Sequence, residues 1–198
     1  MEILTTSPAD EVFRVQISKV LTFLKTGKPN ERTSALIKEI LLEFKESVIP
    51  KRTYKIYNCK ADLSEVKFDE MIINSKTLAK HLKNCRRLVL LAATLGAAAD
   101  TLIRKYSVQD MEKALAAQAV SSAMIETYCD DLEKEFLQTD ELKGLFPVTR
   151  YSPGYGDFNI AHQKEILKLL NASRIGLSLT EAFMLTPSKS VTAIIGFT

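Results

Sequence analysis

A near-continuous apolar segment, Arg87–Gly96, sets the strongest condition on the fold of this chain. It reads Arg-Leu-Val-Leu-Leu-Ala-Ala-Thr-Leu-Gly and shows no alternation of polar and apolar residues. Strands that are buried on both faces have this pattern, whereas a half-buried strand alternates. The sequence therefore predicts a strand that other elements cover on both sides.

Amphipathic helices are predicted before and after this strand. Apolar residues recur at intervals of three and four over 9–25 and 31–48, which indicates two antiparallel helices with a short connection at Gly27–Asn30. Residues 97–137 are rich in Ala, Glu and Lys. They predict two further helices, with a break near Ser107–Asp110.

The remaining predicted elements are short. One helix begins at Ser75 and another spans 161–170. Strands are predicted over 53–57, over 66–68 and within 175–197. The last segment predicts two or three antiparallel strands with a hairpin turn near Pro187. Helices come first and the clearest hairpin comes last, so the predicted fold class is α+β rather than a repeating βαβ pattern. The chain is predicted to be one domain, 1–198, in which 1–50 form a helical N-terminal extension.

Composition excludes several classes of function. The net charge of +3 is too small to argue for a nucleic-acid partner. No apolar run approaches the length of a membrane span, and the N-terminus lacks a signal-peptide pattern, so we expect a cytoplasmic protein without a membrane partner. The three cysteines, Cys59, Cys85 and Cys129, lack metal-ligand spacing and are expected to be separate reduced thiols. His81 and His162 form no His-x-x-x-His or Glu-x-x-His pair, so no metal site is expected.

The candidate functional segment is the loop 149–157, Thr-Arg-Tyr-Ser-Pro-Gly-Tyr-Gly-Asp. Gly permits backbone angles that other residues avoid and Pro fixes one dihedral angle, which predicts a shaped loop. Arg150 can pair with a carboxylate, and Tyr155 can contact a flat or apolar group. A ligand clamp and an ordinary structural turn both fit these residues, and Asp157 is a candidate cap of the helix that follows.

The same loop carries a resemblance to a known family. Arg150–Asp157 resembles the Arg-x-x-Pro-Gly-Tyr loop of the activation domain of cobalamin-dependent methionine synthase. Ile175–Met184 is similar to the Gly-x-x-Leu-Thr-Glu-Ser-x-x-Met segment of that domain, and Pro187–Ala193 to the strand entry after it. Leu90–Gly96 is similar to the Leu-Ala-Ala-Thr-Leu-Gly run of free-standing members. The resemblance is specific over 150–197.

This resemblance implies a fold and a function. The fold would be a C-shaped α+β domain around a twisted antiparallel sheet that is flanked by helices. The function would be that of a stand-alone activation subunit in methionine biosynthesis, a component of a split methionine synthase rather than a complete enzyme. It would bind S-adenosylmethionine and dock on the cobalamin-binding subunit. Reduction of cob(II)alamin by flavodoxin or a similar donor, with methyl transfer from S-adenosylmethionine, would then restore the active cofactor, which the partner holds.

Site residues follow from the resemblance position by position. Arg150 would hold the methionine carboxylate of S-adenosylmethionine, and the backbone around Ser152 and Gly154 would contact the ligand. Tyr155 would lie at the mouth of the site, facing the corrin ring. Further candidate contacts are Ser122, Glu126 and Asp157. No residue is expected to act as a catalytic acid, base or nucleophile, because the chemistry belongs to the cofactors.

In most well-known members of the family the activation domain is part of a long methionine synthase chain, and this sequence lacks acids at two positions where those enzymes have them. Ser122 and Gly144 stand where these relatives use acids to hold S-adenosylmethionine. Loss of two charge-assisted contacts, at ~1.5–3 kcal/mol each, predicts weakened binding or a site that the partner completes. A second hypothesis is therefore a non-catalytic docking module that grips a corrinoid protein without using S-adenosylmethionine. A third is a structural domain whose loop is only a turn.

Overall fold

The central feature of the fold is a three-stranded antiparallel sheet that lies between two hydrophobic cores. The structure, a computed structural model, describes residues 17–24 and 30–198. Its helices are α1 (Ile17–Leu24), α2 (Glu31–Ser47), α3 (Lys76–His81), α4 (Ala97–Gln109), α5 (Met111–Phe136) and α6 (Gln163–Leu169), with short 3₁₀ helices at Ile160–His162 and Ala172–Ile175. Its strands are β1 (Lys51–Asn58), β2 (Lys60–Ala61), β3 (Glu65–Phe68), β4 (Met71–Asn74), β5 (Arg87–Thr94), β6 (Ser178–Leu179), β7 (Leu185–Thr186) and β8 (Ser190–Phe197).

β5 is the middle strand of the sheet, in the order β1-β5-β8. Every residue from 88 to 94 is buried, which confirms the predicted two-faced strand. Val89, Leu91 and Ala93 pack into one core, and the alternate residues of β5 pack into the other. The apolar run is thus explained by the period-2 geometry of a strand with a core on each side.

One core is helical. It lies between the sheet and the long helix α5, against which α1, α2 and α4 pack. Small residues such as Ala117 and Ala123 are fully buried on α5 and permit close helix packing. The other core lies under the small sheet β2-β3-β4, with α3 and α6, around residues such as Phe158 and Ile166.

Most predicted elements are confirmed, and the fold is α+β with antiparallel sheets. Asp110 breaks the long helical segment as predicted, because its side chain accepts a hydrogen bond from the Glu112 backbone and so caps α5. Ser75 caps α3 through the Leu78 backbone. Of the predicted helix over 9–25, the structure describes only the part that forms α1. The other residues of that helix, and most of the connection at Gly27–Asn30, lie outside the described residues. None of the described helices combines the length and apolar character that crossing a membrane requires.

The predicted hairpin turn near Pro187 is wrong. β7 pairs with β6, through Ser178 with Thr186 and Leu179 with Leu185, so the turn lies at 180–184. β8 is not part of this small hairpin and instead pairs with β5 along its whole length. The reason is burial: residues 192–197 are all buried, and an apolar strand of this kind is stable in the centre of the fold.

Candidate functional site

A cleft of about 620 Å³ lies between α5, the loop 149–155 and the beginning of β8. Its lining residues are Glu126, Asp130 and Glu133 from α5, Thr149, Arg150, Ser152, Pro153, Gly154 and Tyr155 from the loop, and Gln163, Leu185, Ser190, Val191 and Thr192. The predicted residues Arg150, Ser152, Gly154, Tyr155 and Glu126 are therefore brought together in one place.

Backbone hydrogen bonds fix the loop against the sheet. Tyr151 exchanges two hydrogen bonds of 2.9 Å with Ile194 of β8. Gly154 adopts a φ of +96° and donates its N–H to the Phe158 carbonyl at 2.7 Å. A φ of this sign favours glycine. The prediction of a shaped rather than a floppy loop is confirmed.

Asp157 anchors the end of the loop to α3 and does not line the cleft. Its carboxylate accepts hydrogen bonds from the hydroxyls of Ser75 and Thr77, both at 2.5 Å, and from the Lys76 backbone at 2.8 Å. The hydroxyl hydrogen bonds hold the pKa of Asp157 well below its usual range. The expectation that Asp157 caps the following helix is wrong, because Asn159 does so. Sequence proximity favoured the following helix, whereas the loop turns back toward α3.

Arg150 lies at the centre of a charged cluster. Its Nη2 donates hydrogen bonds to Glu126 and Asp130, both at 2.8 Å, and its Nη1 donates to Glu133 at 2.5 Å. The side chain of Arg150 is only 18% exposed. Lys19 of α1 forms an ion pair with the other oxygen of Asp130. The guanidinium thus belongs to an ionic network rather than to bulk solvent.

The electrostatics of the cluster are those of an acidic site. Burial raises the pKa of Glu133, although Arg150 opposes this shift. Burial also acts to raise the pKa of Asp130, but the hydrogen bonds from Lys19 and Arg150 outweigh burial and leave the pKa of Asp130 below its ordinary value. Three carboxylates and one guanidinium line the cleft, so its walls carry excess negative charge. A ligand with cationic groups suits such a site.

A match between this sequence and a protein-family model shows to which family the chain belongs. The model for the activation domain of vitamin B12-dependent methionine synthase matches residues 79–197. The chain belongs to this family. The matched region contains α5, the loop and β8, and therefore the whole lining of the cleft.

A solved structure agrees with this assignment at the level of the fold. A crystal structure of the MetH reactivation domain bound to AdoHcy superposes with a TM-score of 0.69 at 13% sequence identity. The superposition covers 98% of this chain and 77% of that one. No curated protein matches the chain.

Ser122 of this activation domain does not line the cleft. Its hydroxyl accepts a hydrogen bond of 2.9 Å from Lys189 Nζ. Burial lowers the pKa of Lys189. Ser122 lies one helical turn before Glu126, which does line the cleft. The role of Ser122 as a ligand contact stays a prediction.

Tyr155 lies at the rim of the cleft, with 62% of its surface exposed. Its ring packs edge-on against Tyr151, with 6.0 Å between the ring centroids. An exposed aromatic ring that a neighbouring ring supports is available to a partner at the mouth of the cleft. That Tyr155 faces a corrin ring stays a prediction.

Two acids of this site, Asp130 and Glu133, were not among the predicted residues. The signal was present in the sequence, because Glu126, Asp130 and Glu133 follow a spacing of four and three residues and so lie on one face of a helix. Gln163 was also missed. It is buried, and its amide donates to the Phe183 carbonyl at 3.1 Å.

The three cysteines are buried, and none of them lines the cleft. Burial raises the pKa of Cys59 to about 11 and that of Cys129 to about 12. Thiols with such values remain protonated and unreactive near neutral pH. Across residues 17–24 and 30–198, no group of three His, Cys, Asp or Glu side chains is arranged to hold a metal ion.

Proposed function

We propose that this activation domain binds S-adenosylmethionine in the cleft between α5 and the loop, and docks on the cobalamin-binding module of methionine synthase. The observation that carries the proposal is the set of charged side chains in the cleft: three carboxylates around Arg150. S-adenosylmethionine carries a sulfonium and an ammonium group, and carboxylates are suitable partners for both. The AdoHcy in the solved relative supports a ligand of the same adenosyl class.

The dimensions and surroundings of the cleft fit this ligand class. A volume of about 620 Å³ falls within the range of roughly 300–1,000 Å³ typical of small-molecule sites. Pro153 and Leu185 supply apolar lining beside the charged groups. Asp130 and Glu133 of α5 line the cleft, and in this proposal they would take the place of the acids that the relatives have at the positions of Ser122 and Gly144.

The contribution of the chain is binding and positioning. S-adenosylmethionine would supply the methyl group, and the cobalamin of the partner would receive it after reduction by flavodoxin or a similar donor. The loop, which β8 and α3 fix at both ends, would hold the ligand in one orientation. Tyr155 at the rim would meet the partner and help to exclude water. A cytoplasmic location is part of this proposal.

One observation favours the second hypothesis, a docking module that does not use S-adenosylmethionine. The guanidinium of Arg150 already contacts three carboxylates. On that hypothesis the cluster is structural, and the exposed Tyr155 alone serves the corrinoid partner.

Calorimetric titration with S-adenosylmethionine separates the two functions. We expect binding by the domain alone, and tighter binding when the cobalamin-binding module is present, because the partner closes the open side of the cleft. Binding in neither condition, with retained affinity for the module, would support the docking hypothesis instead. The arrangement as a separate subunit stays a prediction, and purification of the native protein tests it by showing whether the module is a second polypeptide.

A further inference from the structure

We propose that His81, the last residue of α3, is a positioning residue for the cleft, although it does not line the cleft itself. It holds a β-bulge at Thr149 and Arg150, and this bulge turns the Arg150 side chain toward α5. The inference rests on the proposed function, because the effect of His81 is measured through the affinity of the cleft for S-adenosylmethionine.

The hydrogen bonds between the loop and β8 show that the loop contains an extra residue. The Val148 N–H donates to the Gly196 carbonyl at 2.9 Å, and the next bonded pair joins Tyr151 with Ile194. Between these two points the loop advances from 148 to 151, whereas β8 advances only from 196 to 194. Two loop residues therefore lie opposite a single residue of β8, and this arrangement is a β-bulge.

The bulge decides which way the Arg150 side chain faces. In a regular strand, Val148 and Arg150 would lie on the same face, because side chains alternate with a period of two. With the extra residue, Val148 and Tyr151 both pack against the core around α3 and α6, and Arg150 faces α5 instead. Bulges beside functional sites often re-aim a side chain in this way. The place of Arg150 in the cleft wall thus depends on the bulge.

His81 contacts the bulge from the side of α3. Its Nε2 donates a hydrogen bond of 2.7 Å to the Thr149 carbonyl, at the point where the bulge interrupts the pairing with β8. Its ring packs on the ring of Tyr151, with 5.1 Å between the ring centroids. His81 therefore contacts the residue immediately before Arg150 and the residue immediately after it.

The helix α3 supports both ends of the loop. Its beginning holds Asp157 through the Lys76 backbone, and its last residue, His81, holds Thr149. Loss of the His81 hydrogen bond would release the end of the loop that carries Arg150, while Asp157 keeps the other end in place. A variant at His81 should therefore remain folded and change the cleft wall.

Calorimetry with two variants of His81 tests this role. His81→Leu removes the donor and keeps an apolar side chain against Tyr151, so the affinity for S-adenosylmethionine should fall about five- to tenfold. His81→Gln places an amide N–H near the position of Nε2 and should restore the affinity to within about twofold of the wild type. Urea denaturation of each variant shows that it is folded.

The matched control is His162→Leu. The ring of His162 packs on Phe158 at an interplanar angle of 39°, the same angle as between His81 and Tyr151. His162 also does not line the cleft, and its Nδ1 hydrogen-bonds with Glu165 on its own helical segment. The affinity of this variant for S-adenosylmethionine should stay within about twofold of the wild type.

A double-variant comparison tests the link to Arg150 without any ligand. If His81 acts by orienting Arg150, its loss weakens the ionic network of that guanidinium. His81→Leu should then shift the urea midpoint of Arg150→Met less than it shifts the midpoint of the wild type. Equal shifts would mean that His81 stabilises the fold independently of Arg150 and would overturn the inference.

Two binding results would overturn the inference while the proposed function stands. One is wild-type affinity in a folded His81→Leu variant. The other is an equal loss in His81→Leu and His81→Gln, which would assign the effect to the imidazole ring and not to its hydrogen bond. If the wild type itself binds no S-adenosylmethionine, with or without the cobalamin-binding module, the proposed function fails, and the double-variant comparison alone decides whether His81 positions Arg150.

Discussion

Arg150→Met is expected to lower the free energy of unfolding by about 3 kcal/mol at neutral pH, because the substitution leaves three neighbouring carboxylates without their shared cation. Removal of one partner from a buried ion pair costs roughly 3–5 kcal/mol. The value expected here is at the low end, since Glu126 and Asp130 are 43% and 38% exposed and water screens them. Chemical denaturation of both proteins measures the difference.

The destabilisation should depend on pH with a definite sign. Burial already raises the pKa of Glu133, and the variant loses the interaction with Arg150 that opposes this shift. A carboxyl group whose pKa in the folded state exceeds that in the unfolded state, about 4.3 for Glu, destabilises the fold when it is ionised. The penalty is therefore largest at neutral pH and shrinks as the pH falls toward about 4.

A control isolates the role of the cluster. Arg32 forms an exposed ion pair with Glu112, with side-chain exposures of 82% and 46%. Arg32→Met removes the same charge, and an exposed pair of this kind contributes only ~0.2–1 kcal/mol. If Arg150→Met were no more destabilising than Arg32→Met, the ionic network around Arg150 would carry no energetic weight.

The second large effect is expected at Glu135. Its carboxylate forms an ion pair of 2.5 Å with Arg52, a residue of β1 whose side chain is only 4% exposed. Nε of Arg52 has no hydrogen-bond partner within the described residues. Glu135→Ala therefore leaves a buried cation without its carboxylate and should lower the free energy of unfolding by about 2 kcal/mol, less than for a fully buried pair because Glu135 is 46% exposed and water screens it. Urea denaturation provides the measurement.

A double variant tests the cause of this effect. Arg52→Met removes the buried charge, and apolar replacements of buried ion pairs are often neutral in stability. Arg52→Met combined with Glu135→Ala should therefore recover most of the stability that Glu135→Ala loses. A double variant that is no more stable than Glu135→Ala would mean that the loss arises from packing around residue 135 and not from an unpaired guanidinium.

Local patterns were sufficient for much of the fold. The run that forms β5 has apolar residues on both faces, so it identifies a central strand without reference to any partner. Pro153 and Gly154 likewise identify a shaped loop, because their backbone preferences act locally. Asp110 marks the break between α4 and α5 through a capping preference that is equally local.

Long-range pairing was not accessible from such patterns. β8 pairs with β5, whose residues lie about one hundred positions earlier, as in Thr94 with Ser190. The turn residues near Pro187 suggested a local hairpin, and burial of β8 outweighed that signal. β4 was missed altogether, since Met71–Asn74 is only four residues long and precedes a stronger helix signal at Ser75.

In the candidate site too, the residues with a local signal were predicted and those that depend on tertiary packing were not. Arg150 and Tyr155 were found because they lie together in a distinctive loop. Asp130 and Glu133 were missed because they lie 20 and 17 residues before Arg150, on a helix whose acidic face is ordinarily solvated. Only the packing of α5 against the loop turns that acidic face into the wall of a cleft.

The most direct test of whether this cleft is the ligand site is a crystal structure of the domain, determined from crystals grown with saturating S-adenosylmethionine. The expected result is a ligand between α5 and the loop 149–155, with its sulfonium within about 4–6 Å of the carboxylate of Glu126 or Glu133 and Tyr155 at its open side. A ligand bound elsewhere on the domain, or a cleft without ligand in crystals where calorimetry shows binding, would contradict the assignment.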